Sequence, residues 1–147
     1  MLEELYQQVI LDHSRSPRNA TLLQNPSCSA HGHNPMCGDE LWCTLTIEEN
    51  IVTEIGFKAQ GCAISVASAS LMGEVIKHKT LTEVEELFQH FHQLVTEGTE
   101  KPSLGKLTVL AGVKQFPMRV KCATLAWHTL KAAIEKRQQA TTEGCAE

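Results

Sequence analysis

Two stretches of alternating side chains, flanking Glu48-Glu49-Asn50, restrict most strongly what this chain can become. In the first, Leu41, Cys43, Leu45 and Ile47 alternate with Trp42, Thr44 and Thr46; in the second, Ile51, Ile55, Phe57 and Ala59 share one side. A period of two marks a strand with one apolar face. The connection is short and its Asn tolerates a left-handed backbone, so the pair reads as an antiparallel hairpin. Two strands cannot enclose a core by themselves, so other elements must cover their apolar face.

Those elements read as helices. Leu2, Leu5, Tyr6, Val9 and Ile10 recur at helical spacing, in a segment that stops before Pro17. The small residues from Ala63 to Ser70, followed by Leu71, Met72, Val75 and Ile76, predict a closely packed helix after the hairpin. Thr80-Leu81-Thr82-Glu83 has the pattern of a capping box, leading into Val84, Leu87, Phe88, Phe91, Leu94 and Val95. Residues 98–105 read as a loop and Leu107–Val113 as a short helix; Pro117 precedes a last helix with Ala123, Ala126, Trp127, Leu130 and Ile134 on one face. A third strand in residues 24–35 has only a weak pattern. The expectation is an α+β fold: one domain over residues 1–137, its small antiparallel sheet of about three strands covered by helices on one face, and a flexible polar tail over 138–147.

Charge and hydropathy narrow the function. The net charge is −4, with no basic block, which argues against nucleic acid as a partner. No apolar run approaches the roughly 20 residues needed to span a bilayer. The acidic opening Met1-Leu2-Glu3-Glu4 lacks the charged-then-apolar order of a signal peptide, so a cytoplasmic location is expected. There the six cysteines point to metal or sulfur chemistry rather than disulfides.

Cys37-Gly38-Asp39 precedes the first hairpin strand and Cys62 follows the second, so the antiparallel pairing brings them to one end of the ladder. Cys122 has a similar place near a helix start, and on that ground alone is set with them. Three thiolates and a carboxylate would complete a tetrahedral zinc site, in which the hard oxygen is the more displaceable ligand. Zinc keeps thiols deprotonated, and a helix N-terminus near Cys62 and Cys122 would favour thiolates further. Spacing alone leaves the other reading open: separate, inert, buried thiols, with Asp39 capping a turn. Cys43 fits that description, and Cys28 and Cys145 read as incidental. His31 and His33 could be ligands but read as solvated loop residues, and His90 and His92 as the polar side of a helix.

Asn34-Pro35-Met36-Cys37-Gly38-Asp39, Gly61-Cys62-Ala63-Ile64-Ser65 and Lys121-Cys122-Ala123-Thr124-Leu125 together resemble the three ligand segments of the NifU-like (IscU/SufU) iron–sulfur assembly proteins. The resemblance runs from the opening helix to Leu130. Lys121 stands where the IscU branch has His before its third cysteine, and no Leu-Pro-Pro-Val-Lys motif occurs. The extra segment between Cys62 and Cys122, from Leu104-Gly105-Lys106-Leu107 through Gly112-Val113-Lys114-Gln115-Phe116-Pro117, is, together with Arg119-Val120-Lys121-Cys122, similar to the SufU branch. The resemblance implies zinc on Cys37, Asp39, Cys62 and Cys122, with Cys37 as sulfur acceptor. Arg119 and Lys121 would then bind or orient a PLP-dependent cysteine desulfurase of the SufS type. The product would pass to a downstream scaffold, making the protein a sulfurtransferase. The rival expectations are a scaffold carrying a [2Fe–2S] cluster on the same ligands, and an adaptor with a purely structural zinc.

Overall fold

The computed structural model describes residues 2–135 and 139–141. Strands β1 (Cys28–Asn34), β2 (Asp39–Glu48) and β3 (Ile51–Gln60) form an antiparallel meander in which β2 is central. Glu49 and Asn50 at the hairpin turn both take left-handed backbone, with φ of 53° and 64°. That twist matches the strands it joins. The weakly patterned third strand is therefore present as β1, and Cys28, His31 and His33 lie on it rather than in a loop.

One detail of the hairpin differs from the alternation pattern. Thr46 pairs with Glu54 but Ile47 pairs with Val52, so Thr53 is an extra residue in β3. A bulge of this kind reverses which residues face inward. Val52, not Ile51, enters the core, fully buried, and Ile51 instead bridges to Thr80.

The inner face of the sheet carries Ala30, Leu41, Cys43, Leu45, Ile55 and Phe57. Helices α1 (Leu2–Arg15), α2 (Ala63–Ile76), α3 (Leu81–Glu97) and α4 (Pro117–Ile134) are stacked on that side. α2 and α4 touch the strands; α1 packs on α2 through buried His13, whose Nδ1 is 2.7 Å from Ser70 Oγ. The small side chains of α2 permit its tight contact with α4, where Ser68 Oγ donates to the Ala123 carbonyl at 2.6 Å. Gly32 does the same for α4 on β1, since a β-carbon there would run into the Thr129 hydroxyl. α3 begins with the expected capping box: Glu83 N–H donates to Thr80 Oγ1 at 3.1 Å, and Thr80 N–H to Glu83 Oε1 at 2.9 Å. Residues expected to form a loop up to Gly105 are partly helical, because 3₁₀ turns run over Pro102–Gln115 with a break at Gly105. Leu104, Leu107 and Leu110 are fully buried there, and their burial fixes the segment.

The outer face is open except where the chain crosses it near residues 19–23. The Asn19 carbonyl accepts from Phe57 N–H at 2.9 Å, and Leu23 N–H donates to Thr44 Oγ1 at 3.1 Å. The open part carries His31 stacked on Trp42, with ring centres 4.8 Å apart. Beyond α4, Gln139–Thr141 forms a short strand, β4, parallel to β1. This strand falls within the tail expected to be flexible: β1 is otherwise an edge, and an edge offers free backbone groups to any extended neighbour. The rest of that tail, with Cys145, lies outside the described residues. Among the described residues no helix is long and apolar enough to cross a membrane.

Candidate metal centre

The centre is assembled at one end of the sheet. Asn34 closes β1 and pairs with Asp39, the first residue of β2. Between them the chain turns back: the Asn34 carbonyl accepts from Cys37 N–H at 3.3 Å and Gly38 N–H at 2.9 Å. Cys37 is thereby presented on an exposed turn, while Asp39 points inward and is completely buried. At the far end of β3, Gly61 has φ of 136°, and a β-carbon at that position would collide with Asp39 Oδ1. The glycine makes the room in which the carboxylate sits. Cys62 follows as the N-cap of α2. Its N–H donates to Asp39 Oδ1 at 2.9 Å and its Sγ is 3.8 Å from Asp39 Oδ2. Cys122 arrives from α4, its thiol donating to Cys37 Sγ at 3.4 Å.

The ligand atoms of Cys37, Asp39 and Cys122 lie within 4.8 Å of one another, with Cys62 beside Asp39. Around one zinc ion, with Zn–S bonds of about 2.3 Å, neighbouring ligand atoms stand roughly 3.5–4 Å apart. Cys62 stands outside that group of three, and its sulfur would have to turn toward the others to complete the set. The donor set suits the ion in a second respect. Among the described residues, Asp39 has no basic side chain within ion-pair distance; the ion pairs present are His13–Glu74, Arg18–Asp12 and His31–Glu40. A carboxylate with no exposure and no cation is costly, and a divalent ion would supply the missing charge.

Electrostatics differ between the thiols. Burial, then hydrogen bonds with Asp39, Cys37 and Cys62, hold the Cys122 thiol protonated far above the ordinary thiol range. The helix-terminus argument fails for Cys122, because it lies in the second turn of α4, where the dipole has faded. Cys43 is pushed up to about 12, by burial first and by Cys28 second, which agrees with an inert core thiol. Arg119 is exposed, its guanidinium 4.5 Å from the centre of the Phe116 ring, and Lys121 is half-buried. Met36, Phe116 and Met118 add exposed apolar surface. His31 and His33 lie on the outer side of β1, whereas Asn34 and Asp39 face inward; His31 Nε2 is 3.0 Å from Glu40 Oε2. His90, on α3, has its Nδ1 3.0 Å from the Ser103 hydroxyl of the 3₁₀ segment. Sequence reasoning quoted Asn34 and Gly61 within motifs but gave neither a role.

A buried carboxylate and clustered thiols at the end of a three-stranded antiparallel sheet define a class, and the comparisons agree. Residues 5–123 match the NifU-like N-terminal domain, and the chain belongs to that family. Within it, the chain is 38% identical over 139 residues to a zinc-dependent sulfurtransferase, SufU, of Bacillus subtilis, covering 93% of this chain and 94% of that one. It is also 38% identical over 142 residues to an iron–sulfur cluster assembly scaffold protein, IscU, of Streptococcus pyogenes, covering 95% and 88% of the two chains. Among solved structures, an iron–sulfur cluster assembly scaffold protein for the SUF system from Fervidobacterium islandicum superposes with a TM-score of 0.82 at 32% identity, covering 89% of this chain and 97% of that one.

Proposed function

We propose that this protein is a sulfur acceptor of iron–sulfur cluster assembly, taking sulfur from the persulfide of a PLP-dependent cysteine desulfurase of the SufS type. The observation that carries the reading is the contrast within the centre: Cys37 is exposed on a turn and Cys62 is exposed at the start of α2, while Asp39 and Cys122 are buried. A nucleophile on the exposed turn can meet a partner's cysteine while buried Asp39 and Cys122 stay in place. The 38% identity to a zinc-dependent sulfurtransferase supports the same reading.

Cys37, Asp39, Cys62 and Cys122 would hold zinc, which keeps thiols deprotonated near neutral pH and undergoes no redox change of its own. Cys37, as the thiolate, attacks the outer sulfur of the persulfide. The sulfur–sulfur bond of the persulfide breaks, its cysteine leaves as a thiolate, and Cys37 becomes the persulfide. The sulfur then passes to a downstream scaffold. Arg119 and Lys121 lie beside Cys122 in sequence and would orient the partner, with Met36, Phe116 and Met118 as apolar contacts. The cytoplasm, being reducing, keeps such thiols available.

Cys37→Ala should abolish sulfur acceptance, read by mass spectrometry of the protein after incubation with desulfurase and cysteine. Asp39→Ala should retain acceptance while changing zinc affinity. Full desulfurase stimulation by Cys37→Ala overturns the acceptor assignment. A second reading, a scaffold for a [2Fe–2S] cluster, is favoured by equal identity to an IscU-named relative. Anaerobic purification separates the two: a brown protein supports the scaffold, a colourless one with one zinc supports transfer.

A further inference from the structure

We infer that Asn34 is a positioning residue of the metal centre, joining the turn that carries Cys37 to the sulfur of Cys122 through its two side-chain ends. The inference rests on the metal reading given above. Asn34 is completely buried at the last position of β1. Its Oδ1 accepts from Met36 N–H at 3.2 Å, which fixes which end of the amide is oxygen. Its Nδ2 is then directed to Cys122 Sγ at 3.9 Å, across 88 positions of sequence. With the backbone carbonyl holding Cys37 and Gly38, this one residue contacts two of the three segments that supply sulfurs.

The chemistry suits a sulfur ligand. From 3.9 Å the amide N–H of Asn34 sets the direction of the Cys122 sulfur, and it brings no charge of its own next to buried Asp39. Donors in this outer position commonly account for about 10–100-fold in metal affinity. The plain alternative is a turn residue, with Oδ1 serving the Met36 N–H and Nδ2 merely accommodated.

Asn34→Ser separates these roles. A serine hydroxyl can still accept from the N–H two residues on, as in related turns, but is too short to reach Cys122. The expected result is an unchanged melting temperature for the metal-free protein, zinc affinity about 10–100-fold weaker in chelator competition, and a shifted sulfur-to-cobalt charge-transfer band in the Co²⁺ form. Wild-type affinity and an unshifted band overturn the inference. A measurement on the unmutated protein guards against a variant that does not fold. In protein loaded with an NMR-active cadmium isotope, an Asn34 side-chain proton should couple to the metal through Cys122. An Asn34 proton that neither couples nor shifts on loading overturns it equally. If the unmutated protein takes up no zinc, the metal reading itself falls; if it binds zinc and Asn34→Ser binds equally well, only the role of Asn34 does.

Discussion

Replacing Gly61 by alanine probes whether the glycine exists to seat Asp39. The backbone at Gly61 has φ of 136°, a region that costs a residue with a β-carbon about 1–3 kcal/mol. The added methyl would also meet Asp39 Oδ1, and the carboxylate must then move away from the Cys62 N–H it accepts at 2.9 Å. A hydrogen bond to a charged group contributes about 1.5–3 kcal/mol. Together the two losses come to about 4 kcal/mol, or roughly 10 °C in melting temperature for a domain of this size. Gly38→Ala is the control. Its φ of 73° is also left-handed, but nothing lies within 4 Å of where the methyl would go. That variant should lose only about 1–2 kcal/mol. Thermal melts of both metal-free variants by circular dichroism, with zinc affinity by chelator competition, give the comparison. Equal melting losses in the two variants, with zinc affinity intact in Gly61→Ala, would refute the reasoning.

Two further outcomes are expected. His128, set edge-on to Phe88, is lowered from 6.5 to about 4, chiefly by burial and then by His92 and Lys131. The folded state thus binds this proton less readily than the unfolded one, so its effect is absent above about pH 6.5 and grows as pH falls toward about 4, reaching about 2 kcal/mol near pH 5. Urea melts of the metal-free protein should lose that much between about pH 7 and 5, and His128→Gln should remove most of the loss; buried His13, shifted in the same direction mainly by burial, keeps its share in both proteins. In alkylation mapped by mass spectrometry, exposed Cys37 and Cys62 should react first and fully buried Cys43 last, and zinc should protect Cys37, Cys62 and Cys122 while leaving Cys43 unaffected.

What could be read in advance was local. The hairpin followed from alternation and its turn residues, the start of α3 from a box of four residues, and the meeting of Asp39 with Cys62 from the geometry of antiparallel pairing. Features that depend on contacts between distant segments were illegible. The extra Thr53 that turns Val52 inward leaves no mark in an apolar run containing both Ile51 and Val52. The 3₁₀ turns from Pro102 exist because Leu104 and Leu107 are buried under α3, which no local propensity encodes. The approach of Cys122 needs α4 to settle on β1 at Gly32, a relation between positions almost a hundred apart. The place of Asn34 beside Cys122 is hidden for the same reason; its motif signals a turn and is silent about the helix above it.

The separation between Cys37 and Cys122, 85 positions, carries one more consequence. An ion gripping both would fasten a loop comprising more than half the polypeptide, and cross-links over spans of this length restrict the unfolded chain by an amount on the order of 4 kcal/mol. Asp39 and Cys122 fasten nearly the same loop between them, from buried positions. If Cys37 alone came off such an ion, the buckle between Asp39 and Cys122 would stay shut, and the domain would keep its shape.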